Sequence, residues 1–215
     1  MRVLLPFACA ALLGGCSSLI FPEAEPSAFY RLEPAGSAPA VMVQNHETPV
    51  AVLVSRPDAP RALGGDTIAI QQSDATLAYA SGVRWVEATP GLIQNAVIEE
   101  LQDTDGAFLA ARPRDGISAD YELALEIHRF EADYRNGMES APVADVSITA
   151  RLVKTKGRDL LASRRFEAES RASTNRVGEI VQAFNAAMGQ VNGELIAWTA
   201  EEISQASPNA AEASK

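Results

Sequence analysis

The sequence has few of the residues that carry most enzyme chemistry. Its 215 residues include only two cysteines and two histidines. The spacings typical of zinc proteases and serine hydrolases, His-Glu-x-x-His and Gly-x-Ser-x-Gly, are both absent. His128 shares the polar face of a predicted strand with glutamates, and His46 lies in a proline-rich loop beside a single glutamate. We therefore expect no catalytic residue, no bound metal and no cofactor.

Basic residues are also scarce. Lysine and arginine number 18 against 28 acidic residues, which gives a formal net charge of −10 at pH 7. Nucleic acids and anionic lipid surfaces attract proteins through basic patches, so this balance argues against both as partners. The apolar run at 3–13 is too short to span a bilayer as a helix, because that takes about 20 residues. We interpret the run as a secretory signal and not as a permanent membrane helix.

The apolar run ends in Leu13-Gly14-Gly15-Cys16. Small residues before a cysteine at this place resemble the lipobox of bacterial lipoproteins, in which the cysteine sulfur receives a diacylglyceryl group before cleavage on its N-terminal side. That resemblance predicts a signal peptide over 1–15 and lipidation at Cys16. A plain secreted protein with a chance cysteine is the alternative. Because Cys9 would leave with the signal, the mature chain would have neither a free thiol nor a disulfide.

The segment 16–26 contains two prolines and is predicted to be the lipidated cysteine and its tether. Eleven extended residues reach at most about 35–40 Å, so the folded body would stay close to its membrane. Ser17 and Ser18 follow the cysteine, at the place where an aspartate retains lipoproteins at the inner membrane of enteric bacteria. We expect a lipid anchor on the periplasmic face of the cell envelope, with the outer membrane favoured over the inner.

The rest of the chain predicts a single domain over 27–205 and a disordered tail over 206–215. Short apolar runs between turn residues predict strands at 28–32, 50–54, 67–70, 77–86 and 107–111. Alternating apolar and polar residues predict three longer strands at 121–127, 146–152 and 162–168. Asn136-Gly137 and Lys156-Gly157 supply turns between these three strands, which predicts an antiparallel meander.

Two helices are expected among these strands. Apolar residues at spacings of three and four predict helices at about 89–104 and 176–204, with Thr89 as the N-cap of the first. The predicted fold is therefore α+β, a two-layer sandwich with one mostly antiparallel sheet and both helices on one face. The apolar run at 50–54 suggests a strand that is buried on both faces.

Two further features allow more than one interpretation. Trp85 could stack on a ligand, but a core position is favoured. Gly189 and Gly193 are four residues apart in the final helix and could form a groove for another helix or subunit. Close packing of these glycines on the protein's own sheet is the favoured alternative.

Several segments together resemble a known family. They are Phe29-Tyr30-Arg31-Leu32, Leu77-Ala78-Tyr79, Arg84-Trp85-Val86-Glu87 and the helix ending in Glu100-Leu101. In the ABC-type transport auxiliary lipoprotein family, a Tyr-x-Leu strand follows the tether and a Tyr…Arg-Trp-x-Glu segment opens the first helix. The resemblance covers about 27–205. It departs from the family at Ala88-Thr89-Pro90, where relatives often have a Pro-Leu-like pair.

This resemblance implies a non-enzymatic function. The family accompanies MCE-domain (mammalian cell entry) systems that move phospholipid between two membranes. The expected partners are the periplasmic MCE-domain protein and its ABC permease and ATPase, and a homo-oligomer is left open. The alternative is a free-standing lipoprotein, facing the periplasm, that binds a small ligand or assists envelope assembly.

Overall fold

The computed structural model describes residues 28–34, 41–43 and 48–207. The predictions for the signal peptide, Cys16, the tether and His46 lie outside these residues, as do those for the tail from 208 onward. Within the described residues, no helix is long and apolar enough to cross a membrane.

Eight strands and two long helices form the described part of the chain. The strands are β1 (Ala28–Tyr30), β2 (Val50–Val54), β3 (Thr67–Gln72), β4 (Leu77–Trp85), β5 (Phe108–Ala111), β6 (Tyr121–Tyr134), β7 (Val143–Lys154) and β8 (Leu160–Arg171). The helices are α1 (Thr89–Gln102) and α2 (Val177–Ala206), with short 3-10 helices at Arg61–Leu63 and Pro113–Asp115. Each strand and helix predicted from the sequence is present, with bounds shifted by several residues at most.

All eight strands belong to one mixed sheet. The three longest strands, β6, β7 and β8, pair antiparallel in sequence order, as predicted. The short strands β2 and β3 follow one another along the opposite edge of β6 and pair with it in parallel. Strands β5 and β1 extend the sheet by parallel pairing with β2 and β4. Strand β4 pairs antiparallel with β3. The sheet is therefore mixed, because it contains both parallel and antiparallel pairs.

Both helices pack on one face of this sheet, as predicted. Helix α2 packs on β7 and β8, α1 packs on β5 and β2, and the two helices contact each other. Trp85, Phe130 and Phe184 meet between the layers, with ring centroids 4.8–5.7 Å apart. None of these three side chains is more than 2% exposed. Trp85 is thus a core residue, which confirms the favoured interpretation.

Three local predictions are wrong. Thr89 is the first residue of α1 and Ala88 is its N-cap, since the Thr89 hydroxyl donates to the Gly65 carbonyl at 3.0 Å instead. Strand β2 alternates buried and half-buried residues, so it is not buried on both faces. A Cβ on Gly193 would meet nothing within 4 Å, so this glycine does not mediate close packing.

Candidate functional site

A cleft of about 210 Å³ lies between the segment after β1, the segment after β4 and one side of α1. Leu32, Leu92 and Ala96 form an apolar floor, and none of them is more than 7% exposed. Val86 also lines the cleft and is 43% exposed. The polar lining residues are Arg31, Glu33, Glu87, Asn95 and Glu99. The cleft therefore combines an apolar floor with a mainly acidic rim.

The segments that carry the sequence resemblance form two walls of this cleft. Val86 N–H donates to the Tyr30 carbonyl at 2.9 Å, which joins the end of β1 to the end of β4. Trp85 N–H donates to the Asp66 carbonyl at 2.7 Å. The Arg84 guanidinium pairs with the Asp66 carboxylate at 2.8 Å. The Arg-Trp-x-Glu segment is thus fixed by backbone and side-chain bonds on both sides of Trp85.

Glu87 is held at the first turn of α1. Asn95 Nδ2 donates to Glu87 Oε1 at 2.6 Å. The other carboxylate oxygen, Oε2, lies so close to Gly91 that a Cβ there would overlap it. A negative charge is favourable at a helix N-terminus, where backbone N–H groups lack partners and the helix dipole is positive. Gly91 therefore permits the approach of the Glu87 carboxylate, a role that no local sequence pattern predicts.

An arginine from beyond β5 extends this network. Arg112 donates from Nη2 to Asn95 Oδ1. Arg56, which follows β2, places its Nη1 3.2 Å from the position that a Gly91 Cβ would occupy. Sequence reasoning missed Asn95, Arg112 and Arg56, because they meet only where β2, β5 and α1 pack together. No signal in the sequence links them.

The wall formed by the segment after β1 is attached to α2. Glu33 N–H donates to Asn185 Oδ1 at 3.0 Å. Asn185 is 5% exposed, and Leu32, which precedes Glu33, is buried in the hydrophobic core. A buried amide thus fixes the segment after β1 against the helix layer, which keeps the cleft walls in place without a ligand.

The side chains of the cleft are of types that bind a partner molecule. Carboxylates, an amide and a guanidinium on well-packed elements recognise charged or hydrogen-bonding groups, and apolar floors add affinity. Three of the lining side chains are glutamates and one is an arginine. The cleft therefore fits a partner segment that carries basic side chains next to apolar ones.

The sheet face turned away from the helices is charged. His128 lies here, half-buried, with Nε2 2.8 Å from Thr149 Oγ1. Arg151 pairs with Glu126 at 2.7 Å, and Arg158 pairs with Glu122 at 2.5 Å. The sequence-based interpretation of His128 as one member of a polar face is confirmed.

Three carboxyl groups on this face are buried, those of Glu131, Asp133 and Asp145. Asp145 is 3% exposed and accepts a 2.8 Å hydrogen bond from Arg129 Nε at its Oδ2, whereas its Oδ1 has no partner among the described residues. Burial raises the pKa of Asp145 above its ordinary value. Its cross-strand neighbour Glu131 is 8% exposed. Burial, and then the charges of Asp145 and Asp133, raise the pKa of Glu131.

Comparison with known proteins gives the chain a family. The family of ABC-type transport auxiliary lipoprotein components matches residues 30–196. The crystal structure of a protein from Xanthomonas campestris has a TM-score of 0.71 and 26% identity, and the match covers 85% of this chain and 100% of that chain. A second crystal structure, of an uncharacterized protein, has a TM-score of 0.58 and 16% identity over 85% of this chain and 99% of that one, which shows the shared fold.

A curated relative is matched over a shorter range. An uncharacterized protein of Bradyrhizobium diazoefficiens is 30% identical over 115 residues, which is 54% of this chain but 30% of the relative. The family match is far longer and includes both walls of the cleft, the whole of α1 and most of α2. The chain belongs to the family of ABC-type transport auxiliary lipoprotein components.

Proposed function

We propose that this chain is a non-enzymatic outer-membrane lipoprotein of an MCE-type ABC system that moves phospholipid between two membranes. Its folded domain docks or positions the periplasmic MCE-domain protein. The observation that supports this most strongly is the family match across the folded domain, from the first cleft wall to α2. The lipobox-like Leu13-Gly14-Gly15-Cys16 supports a location of the domain on the periplasmic face of a membrane.

The cleft is the proposed docking site. Its walls come from the segments after β1 and β4 and from α1. They are fixed by hydrogen bonds to Asn95 and Asn185, so little ordering is needed when a partner binds. The acidic rim would attract a basic segment of the MCE-domain protein, and the apolar floor would add contact area.

The docking proposal predicts a charge-sensitive capture. Glu99 is exposed on the rim, so Glu99→Lys should disturb the attraction while leaving the fold intact. A tagged full-length chain should recover the MCE-domain protein from crosslinked cells, and Glu99→Lys should lower that recovery by about tenfold, equivalent to about 1.4 kcal/mol. Glu201→Lys, an exposed change on α2 away from the cleft, is the matched control and should leave recovery unchanged.

Membrane attachment should depend on Cys16 alone. Three acyl chains bury on the order of 40 methylenes at about 0.8 kcal/mol each, far above the one-chain threshold for stable anchoring. Cys16→Ala should therefore give a soluble product or an uncleaved precursor, whereas Ser17→Ala should stay in the membrane fraction. Mature Cys16→Ala protein that stays with outer membranes after high-salt and carbonate washes would contradict the anchor.

Loss of the gene should weaken the envelope. A deletion strain is expected to become more sensitive to detergents and bile salts, and the wild-type gene should restore resistance where Cys16→Ala does not. Recovery of neither an MCE-domain protein nor a permease, together with an intact barrier in the deletion strain, would favour a free-standing lipoprotein instead.

A further inference from the structure

Strand β8 forms a long free edge of the sheet. It is 12 residues long, and no strand pairs with its outer side in the part of the chain that the structure describes. Exposed edges pair readily with other strands, and proteins usually shorten, bulge or cover them. β8 contains no proline, and its pairing with β7 shifts register only near Val153, at its N-terminal end. The edge is therefore regular enough to receive another strand.

The backbone pattern shows which residues of β8 face outward. Ala172 N–H donates to the Pro142 carbonyl and continues the antiparallel ladder with β7. Because the groups alternate along an antiparallel strand, even-numbered residues bond to β7 and odd-numbered residues point N–H and C=O outward. The outward set comprises Ser163, Arg165, Glu167, Glu169 and Arg171.

Two of these residues, Arg165 and Glu167, carry charges that are only partly paired. Arg165 forms no ion pair among the described residues, and its guanidinium reaches only Thr149 Oγ1 and His128 Nε2, each at 3.4 Å. The Glu167 side chain is 50% exposed. Its Oε1 accepts from Ser147 Oγ at 2.9 Å and from Arg129 Nη2 at 3.0 Å, while Oε2 accepts no hydrogen bond from the residues that the structure describes. The edge thus carries a cation that has no close ion pair among the described residues, two positions before a half-exposed carboxylate.

We propose that β8 pairs antiparallel with β8 of a second copy of this chain, about a two-fold axis that passes through Phe166. In this register Arg165 of each copy lies opposite Glu167 of the other, which gives two symmetric ion pairs. A shift by one residue of the axis would set Arg165 opposite Arg165 or Glu167 opposite Glu167, and both like-charge pairs are unfavourable. The charges of β8 therefore favour the axis through Phe166 over both adjacent registers.

The helix side of β8 also fits this pairing. Arg164 stacks over the Phe166 ring, 5.0 Å from its centroid, and lies 3.8 Å from Glu194 of α2. In the proposed register Arg164 of one copy lies opposite Ala168 of the other, whose small side chain leaves room for it. The outward backbone groups would form about eight hydrogen bonds between the copies, within the range of stable interfaces. Two-fold pairing uses both β8 edges, so the dimer is closed.

Engineered cysteines test the register in intact cells. Full-length copies with Arg165→Cys and with Glu167→Cys would carry different tags, be expressed together and then be oxidised mildly. Directly opposite residues have Cα atoms about 5.5 Å apart, within the disulfide range of about 4.4–6.8 Å. Each variant alone would place its two thiols on a diagonal of about 7–8 Å, so mixed dimers should exceed self-dimers on the order of tenfold.

The control pair is Arg151→Cys with Glu167→Cys, because Arg151 is exposed on the same sheet face but lies on β7, away from the edge. It should give no mixed dimer above background. Absence of the Arg165–Glu167 mixed dimer, equal yield from the control pair, or crosslinking to a different protein would each overturn the proposal.

Charge reversal supplies a second, thiol-free test. Arg165→Glu alone and Glu167→Arg alone should each lose self-association, measured by co-isolation of two tagged copies, because each variant opposes like charges. Co-expression of the two variants should restore association, since every cross-strand pair then joins opposite charges. Failure of the mixture to associate where wild-type copies do would contradict the register. Because only this chain is measured, these outcomes are independent of MCE docking.

Discussion

The two faces of β6, β7 and β8 are built from alternate residues of the same strands, yet they are stabilised in different ways. On the helix side, Phe130 is 2% exposed and contacts Trp85 and Phe184. On the outer side, Asp145 is 3% exposed and contacts Arg129. Phe130 and Asp145 are therefore buried to nearly the same extent. Phe130 is stabilised by dispersion and hydrophobic burial, whereas Asp145 is stabilised by charge pairing.

The outer face shows how carboxylates can be buried on an open sheet. Arg129 bonds to Asp145 and Glu167, and Arg135 pairs with Asp133, Asp145 and Glu169. The guanidinium groups cover the carboxylates, because their side chains remain 38% and 54% exposed while that of Asp145 is 4% exposed. A truncation on the helix side should leave a cavity, whereas a truncation on the outer side should leave an unpaired charge.

Removing a central aromatic side chain from the helix side should have the largest effect. Phe184 is 0% exposed, between Trp85 and Phe130. Phe184→Ala is expected to lower the free energy of unfolding by about 3–5 kcal/mol through lost burial and the cavity left behind. Gln182→Ala, an exposed change on the same helix, should stay within about 0.5 kcal/mol. Denaturant unfolding of both variants measures the difference, and equal midpoints would mean that α2 does not cover the core.

Breaking an ion pair on the outer face should cost less. Arg129→Met would leave the buried Asp145 carboxylate without its 2.8 Å hydrogen bond. We expect a loss of about 1–3 kcal/mol, since hydrogen bonds to buried charged groups are the costly ones to remove. Arg151→Met removes the exposed pair with Glu126 and should cost about 0–1 kcal/mol. Similar losses of unfolding free energy in Arg129→Met and Arg151→Met would contradict a higher cost for leaving the buried Asp145 carboxylate unpaired.

The smallest expected effect is on pH dependence. Burial, and then Asp145 and Asp133, raise the folded-state pKa of Glu131 above its ordinary value of 4.5. The folded chain therefore holds this proton where the unfolded chain has released it, so the free energy of unfolding falls as pH rises through that window. Glu131→Gln should remove this contribution, and its stability should fall less than that of wild type as the pH is raised from 4.5.

A matched variant should show the opposite sign. The hydrogen bond from Arg151 lowers the pKa of Glu126, so the charged form of Glu126 favours the folded state above its ordinary pKa and this contribution is lost as the pH falls. Glu126→Gln should therefore reduce the gain in stability on going from acidic to neutral pH. Parallel shifts in Glu131→Gln and Glu126→Gln, measured by thermal unfolding across pH, would contradict the assignment of burial to one and pairing to the other.

The sequence predicts the elements better than their partners. Alternation identifies β6 only as far as Ile127, although the strand continues to Tyr134. A register shift between Ile127 and Arg129 changes which residues face the helices and so interrupts the alternation. Phe130 then lies on the core side, out of phase with Ile127. A bulge inserts one residue and so breaks a period-two pattern, which makes one long strand look like a shorter one.

The cleft could be predicted only in part. The sequence resemblance includes the segments around Tyr30 and Glu87, and the structure places them as neighbouring walls. The contacts from Asn95 to Glu87 and from Glu33 to Asn185 could not be predicted, because each joins elements brought together by the fold. Local patterns specify helices and strands, while contacts between distant residues depend on the topology of the whole sheet.

Docking through the cleft is tested most directly by site-specific photocrosslinking of the full-length chain in intact cells. A photoreactive side chain would replace Val86 in the cleft or Leu109 on β5, which are 43% and 47% exposed and so present similar access to solvent. We expect the Val86 position to crosslink to an MCE-domain protein and the Leu109 position to give none. Equal crosslinking from both positions, or a Val86 product that contains no component of the transport system, would contradict docking at the cleft.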